Sequence, residues 1–537
     1  MRTEKIQQEQ GTEMNWFKAV LLSLAAMVLA GCATAPQKPE ELAPTHGFVQ
    51  VVIPQFGAMT PLAVRPVAGT SATRLEALPE GDGTLYGLWL PPGRYKLAAW
   101  IQSGIPDSPE FEVRARRLTN LGTLVPVTLG AKEMALLPVQ DAESARLARE
   151  AAQRLRPHLA EAKALTWQSI DLPKPFVINP GDTGLGIIAD LLVLYEQHVN
   201  QTPIAKRLRE AKTPAEMLAL AKEAAAPRTK EPAVDDQGRL YFGAVLGQVR
   251  MRTPAGTWSS IDTGSLRAVT AVEWHEGTLV VGDEAGEIRA TRDQGRTWTK
   301  LASLGLRTAV VDIDRAGSRW VVLAAGHHPN SNGFFEKVDR IAVHVATRDD
   351  LSDLKQVWEG LDKDVHVIAP NWNGVRGEAT AKSYLFPASF DLMRLDLATS
   401  EVRQVPAPVR ASGVHAVPGG PVTAFLALGA FSKLHVSADE GQTWTAQEAP
   451  SLVIDDIVFD AAGHGVATRW PMAAFKPEVV FETYDAFGRK WVPREPGPAA
   501  CQLVLQDARR LPNFCVTGSG SVLFRSDKGW GVEFSAE

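Results

Sequence analysis

From about residue 229 onward the chain alternates short apolar runs with Gly-bearing turns, four runs to a unit, and the unit recurs. In one copy the runs are 268–275, 278–283, 287–293 and 297–301. Runs of this length that alternate in polarity between turn residues predict half-buried strands. Four-stranded units in series predict sheets arranged radially as a β-propeller, which leaves only short protected edges. Tryptophans mark most units, with spacings of 40, 60, 86, 47 and 39 residues from Trp258 to Trp530. The longest gap holds two units, of which one, the hairpin 392–405, lacks a Trp. About seven blades result. The inner strand of the first, near 232–236, is the least defined, so six or eight remain open.

The pattern differs upstream. Residues 46–140 alternate in short runs (48–53, 84–90, 94–101 and 110–114) and predict a β-sandwich. Residues 141–228 shift to helical spacing, with Ala145, Ala148, Ala152 and Leu155 on one face. The stretch 185–199 is the most apolar helix candidate, expected to bury its face against the sandwich or propeller, with a membrane or partner surface as the alternative. Thr213-Pro214-Ala215-Glu216 carries a helix start: a capping Thr, Pro in the first turn and Glu three residues on. The fold class is thus mainly β, with a helical connecting segment before the propeller.

Composition narrows the function. The balance of 56 Lys+Arg against 61 Asp+Glu gives −5, so no basic field points to nucleic acid. Three cysteines exclude a disulfide-rich scaffold and a multi-cysteine zinc cage.

The amino-terminal run 19–30 is apolar and follows Lys18, but 12 residues are too few to span a bilayer. It reads as a secretory signal. Its end, Leu29-Ala30-Gly31-Cys32, resembles the lipobox of bacterial lipoproteins. That resemblance implies removal of 1–31, lipidation of Cys32 and a membrane anchor. The Pro-bearing residues 32–45 then form a tether. Ala33 in place of Asp resembles the sorting signal for an outer-membrane lipoprotein facing the periplasm. Met14 would give a signal of ordinary layout, so the start could be Met1 or Met14.

Two further resemblances bear on the mature chain. Leu90-Pro91-Pro92-Gly93-Arg94-Tyr95 resembles an edge of prealbumin-like, carboxypeptidase-regulatory-like sandwiches, whose role is spacing or adhesion. Thr291-Arg292-Asp293-Gln294-Gly295-Arg296-Thr297-Trp298 and Ser437-Ala438-Asp439-Glu440-Gly441-Gln442-Thr443-Trp444 share S/T-x-D-x-G-x-T-W. This resembles the Asp box, or BNR repeat, of sialidases, sortilin-type receptors and photosystem-assembly-factor-like propellers. In those families the box is a turn between third and fourth strands, away from the ligand. Asp293, Gly295, Trp298, Asp439, Gly441 and Trp444 are therefore expected to be structural.

Catalytic motifs are scarce. Sialidase chemistry needs an arginine triad, a Tyr/Glu pair and an acid Asp, and its family carries an early Arg-Ile-Pro that this chain lacks. The propeller tyrosines Tyr241, Tyr384 and Tyr484 read as outer-strand residues. No metal site is expected, because His327 and His328 diverge on an extended segment with no carboxylate cluster in view. No cofactor is expected either. The long second-to-third-strand loops favour binding. Their candidates are His327, His328, Asn330, Asn332, Phe334 and Phe335 in the third blade, and Arg469, Trp470 and Lys476 in the sixth. The expected role is binding or scaffolding of an envelope protein or glycan, with a polysaccharide-acting hydrolase or lyase as the alternative. Cys501 and Cys515, on successive strands of the last blade, are expected to pair as a disulfide in the oxidising envelope.

Overall fold

Strand-forming residues recur through the described chain, and their backbone groups are satisfied by sheets built almost entirely from neighbouring strands. The computed structural model describes residues 39–54, 62–78, 83–100, 103–105, 107–129, 133–140, 142–155, 161–164, 176–177, 203–329, 336–361, 375–405, 411–416, 420–426, 433–450, 454–460, 462, 464–469, 479–485, 490–498, 501–518 and 520–535. Cys32, the signal-like segment and the apolar stretch 185–199 lie outside the described residues.

Two sheets form the amino-terminal unit. In one, Gly47–Val52 pairs antiparallel with Leu85–Leu90 and parallel with Arg117–Thr128, which continues to Glu133–Val139. In the other, Gly93–Trp100 lies between Leu62–Pro66 and Glu110–Val113. They share one core. Val49, Val51, Tyr86 and Leu124 of the first meet Leu62, Val64, Leu97, Trp100 and Phe111 of the second. The Pro-Pro-Gly turn is locked by Tyr95, whose hydroxyl donates to the Pro91 carbonyl at 2.9 Å while its ring stacks on Phe111.

The helix Ala142–Leu155 buries Ala148 and Ala151 against Val52 and Leu85. The segment 141–228 is not wholly helical. Glu161–Ala164 and Phe176–Val177 add to the first sheet, satisfying backbone groups that its strands would otherwise leave open. Helices follow at Pro203–Glu210 and Pro214–Glu223. Thr213 caps the second: its side chain accepts from the Glu216 N–H at 3.1 Å.

Among the described residues, seven four-stranded antiparallel sheets then follow in chain order, each built from four consecutive strands. Every neighbouring pair shares an apolar cluster, from Val249 with Val272 between the first and second to Phe481 with Cys515 between the sixth and seventh. The last also packs on the first, through Phe242, Leu240, Leu505, Phe514 and Val522. The Gln506 N–H donates to the Lys230 carbonyl at 2.8 Å across the same seam, and Arg252 pairs with Glu533. Clusters that run from each sheet to the next and from the last to the first make a propeller-like ring. The hairpin expected without a Trp supplies Asp391–Asp396 and Val402–Gln404 of the fourth sheet.

Both S/T-x-D-x-G-x-T-W segments turn between third and fourth strands. In each turn one carboxylate organises the loop. Asp293 accepts from the Thr297 N–H at 2.9 Å and the Thr297 hydroxyl at 2.7 Å, and Asp439 does the same with Thr443 at 2.7 and 2.6 Å. These bonds hold both carboxyls down at about 2. Gln294 and Gly295, like Glu440 and Gly441, take positive φ, with values of 59°, 84°, 57° and 81°. Trp298 reaches back to the first sheet, donating to the Asp262 carbonyl at 2.9 Å. Cys501 and Cys515 are disulfide-bonded, with Cα atoms 5.6 Å apart. They sit diagonally, because a bulge after Cys501 shifts it opposite Thr517 while Cys515 faces Val504.

Asp439→Ala deletes the acceptor of both Thr443 bonds in an exposed turn. We expect a melting temperature lowered by several degrees in a thermal scan, with the folded protein's circular-dichroism spectrum unchanged. An unaltered melting temperature would refute the turn-organising role.

Candidate functional site

The innermost strands bring charged and amide side chains to the middle of the ring. Lys230 and Glu231 precede the first inner strand, Glu273 lies on the second, and Asp312 and Asp314 on the third. Arg376 and Glu378 come from the fourth, His415 from the fifth, Asp455 and Asp456 from the sixth, and Gln506 with Arg510 from the seventh. Their contacts join neighbouring sheets and also cross the ring. Glu231 pairs with Arg510 and lies 3.8 Å from Arg376, and Lys230 reaches Asp455 at 2.9 Å. Pairs between the first and fourth sheets can form only through the centre.

Backbone irregularity aims two of these carboxylates. The inner strands of the third and sixth sheets bulge between Val310 and Asp312 and between Ile454 and Asp456. A bulge bends a strand and redirects a side chain. Each Asp then accepts its own neighbour's N–H, Ile313 at 3.1 Å and Ile457 at 2.9 Å. Asp312 also receives the Tyr384 hydroxyl at 2.8 Å, the Gly377 N–H at 3.1 Å and Arg376 at 3.3 Å. Tyr384 therefore is not the outer-strand residue the sequence implied. It stands on the second strand of its sheet, one strand from the centre, and its hydroxyl reaches inward.

His415 is buried amid acids. Its Nδ1 lies 3.1 Å from Glu378 Oε1, and its Nε2 lies 3.3 Å from Asp456 Oδ1 and 3.7 Å from Glu231 Oε1. The Gln506 amide nitrogen approaches Nε2 at 2.6 Å and donates to Asp456 at 2.9 Å. Burial disfavours charge on the imidazole, but Asp456 and Glu378 outweigh it and raise its pKa well above the usual value.

The carboxylates divide into two groups. Burial pushes Glu231 up, but Arg376 and Arg510 outweigh it and hold its carboxyl at about 2. Asp456 is likewise depressed, its burial outweighed by His415 and Lys230. Burial raises Glu273 to about 8 against the pull of Arg510, with Asp312 and Glu231 adding to the rise. Asp314 is raised by burial and by the neighbouring Asp312 and Glu273. A charged core with excess acid is a place to bind cations, hold protons or fix the ring's geometry.

The loop candidates are placed elsewhere. His327 is buried at the end of the Arg319–Pro329 strand, its N–H donating to the Arg307 carbonyl at 2.9 Å. His328 is half-exposed and lies 3.1 Å from Asp339. Arg469 turns to its own sheet and pairs with Glu482 at 2.6 Å. Asn330, Asn332, Phe334, Phe335, Trp470 and Lys476 lie outside the described residues. No described contact joins the third-sheet candidates to Arg469. What sequence reasoning missed is the centre, whose signal was one ionisable residue in almost every inner strand.

The third sheet is also elongated. Its second and third strands, Arg319–Pro329 and Glu336–Ala346, have 11 residues each, against four to six in the other sheets. Pairing with the inner strand stops at Gly326, while the two long strands stay paired to Pro329 and Glu336. The projecting hairpin extends about 10 Å past the inner strand.

No family model and no curated protein matches the sequence. Solved structures similar to the chain include YCF48 from Cyanidioschyzon merolae (10% identity, TM-score 0.38, covering 58% of this chain and 95% of that one). YCF48 bound to D1 peptide is similar at 11% identity and a TM-score of 0.37, covering 56% and 90%. An oligogalacturonate lyase from Vibrio parahaemolyticus is similar at 9% identity and a TM-score of 0.36, covering 57% and 89%.

The raised pKa of Glu273 makes stability depend on pH. The folded state holds its proton more tightly than the unfolded chain, whose carboxyl titrates near 4.5. Stability is therefore full below that value and falls as pH rises toward about 8. Glu273→Gln should leave the melting temperature near wild type at pH 5 and raise it by about 2–4 °C at pH 8.5, the shift of roughly 2–4 kcal/mol in a chain this large. Parallel wild-type and variant curves across that range would count against this assignment.

Proposed function

We propose that the chain is a lipid-anchored envelope protein that binds a protein or glycan through the loop face of a seven-bladed Asp-box propeller. In this reading residues 1–31 are a lipoprotein signal, Cys32 carries the lipid and 32–45 are the tether. Residues 46–140 form a prealbumin-like sandwich, 141–228 connect, and 229–537 make the propeller. The lipid holds the protein at the outer membrane, facing the periplasm.

The observation that carries the binding reading is the third-sheet hairpin. A paired strand extension is rigid, and rigid projections lose little entropy when they engage a partner. The half-exposed His328–Asp339 pair gives it polar character. The central carboxylates favour the hydrolase or lyase alternative less. Glu231 is tied to arginine, and Glu378 lies against His415 in the interior.

Mass spectrometry of the mature protein tests the anchor. A diacylated or triacylated Cys32 at the amino terminus is expected, and an unacylated terminus elsewhere overturns it. For the binding face, the full lipidated chain is cross-linked in detergent-solubilised envelopes, and wild type is compared with the His328→Ala, Asp339→Ala double variant. At least a fivefold loss of the cross-linked species is expected, with the melting temperature unchanged. Equal recovery from both proteins would move the binding site off the hairpin.

A further inference from the structure

We propose that the centre of the ring binds one divalent first-row cation, held by Glu378, His415 and Glu231. One ligand atom from each lies within 4.8 Å of the others, and all three residues are buried. They come from the fourth sheet, the fifth sheet and the segment leading into the first, so the folded ring brings them together and no local sequence motif does.

Three features point to an ion rather than to a self-contained salt bridge. The first is the geometry of the closest pair. His415 Nδ1 and Glu378 Oε1 are 3.1 Å apart, yet neither has a hydrogen-bond partner, so the N–H direction misses the oxygen. Two atoms side by side at that separation match neighbouring ligands of one metal with bonds of about 2.2 Å at right angles. The second is Gln506, 1% exposed, whose amide sits against His415 while its Oε1 has no partner. An unpartnered carbonyl oxygen buried there is costly unless something accepts its lone pairs.

The third is charge. Lys230 is matched by Asp455, Arg376 by Asp312 and Arg510 by Glu231. Glu378, Asp456, Asp314 and Glu273 then share one imidazole and the longer-range field of Lys230 and Arg510, whose direct partners are other acids. Isolated buried carboxylates are not tolerated as anions. A dication would offset two of these charges. The donor set of carboxylates with one imidazole suits Mn²⁺ or Zn²⁺. Asp456, 3.3 Å from His415 Nε2, would orient the ring from behind, as carboxylates do for metal-bound histidines.

The test uses the full chain, stripped with a chelator and dialysed at pH 7.5. MnCl₂ and ZnCl₂ are then titrated separately, with binding followed by calorimetry and stability by thermal scan. Expected are one equivalent bound and a melting temperature raised by roughly 2–3 °C at a hundredfold excess over Kd. Glu378→Gln and His415→Gln should each weaken binding at least tenfold. Because either variant could unfold the ring, the circular-dichroism spectrum of each is compared with that of wild type, and Glu401→Gln, at an exposed pair with Arg403, serves as the control and should bind as wild type does. If neither ion binds or stabilises the stripped wild-type protein, the excess acid is neutralised by protons and the proposal is wrong. Stoichiometric binding retained by both ligand variants would also overturn it, by placing the ion elsewhere.

Discussion

The ring depends on charge balance at its centre. The inner strands bring ionisable and amide side chains to the middle, from Glu231 beside the first to Gln506 on the last. That choice is demanding. Removing one partner of a buried pair costs about 3–5 kcal/mol, because the other charge is left uncompensated. Arg510 shows the dependence. It sits in the turn after the last inner strand with φ of 63°, pairs with Glu231, and is felt electrostatically by Glu378, Asp314 and Glu273. One guanidinium from the seventh sheet thus ties together residues of the first four.

The same contacts define closure. A ring of sheets needs its last member to recognise its first, and apolar packing alone is a weak discriminator of register. Phe242 and Phe514 supply the area at the seam. The bond from the Gln506 N–H to the Lys230 carbonyl, with Arg510 on Glu231, fixes the register. Lys230 adds a tie to Asp455 of the sixth sheet, so the segment entering the ring is gripped from two sides. Buried polar pairs of this kind add specificity more readily than stability.

What could be read from the sequence was local chemistry. The Asp293 and Asp439 turns are encoded within eight residues, as is the Thr213 helix start, and hairpin spacing survives even where the Trp is lost at 392–405. A weaker copy shows the limit of such reading. After Thr347 the organising carboxylate is Asp353, at 2.6 Å from the Thr hydroxyl, while the aligned Asp349 instead receives Trp320 Nε1 at 3.1 Å. The centre was illegible for a different reason. Its residues stand about 40 positions apart, one or two to a unit, and a single Glu or His in an apolar strand looks like noise. Only the geometry of a closed ring makes Glu231, Glu378 and His415 neighbours.

Topology also decides which end of the ring meets the amino-terminal unit. In a four-stranded antiparallel sheet the second-to-third turns and the connections between sheets share one end, and the Asp293 and Asp439 turns lie at the other. The amino-terminal unit packs on the first of these ends. Val125, Val127 and Leu137 cluster through Met217 with Leu246 and Leu266 of the first sheet's turns, and Arg307, before the third sheet, donates to the Leu78 carbonyl at 2.9 Å. Arg307 also accepts from His327 at the base of the long hairpin. The base of the hairpin therefore lies beside the amino-terminal unit, at the same end of the ring.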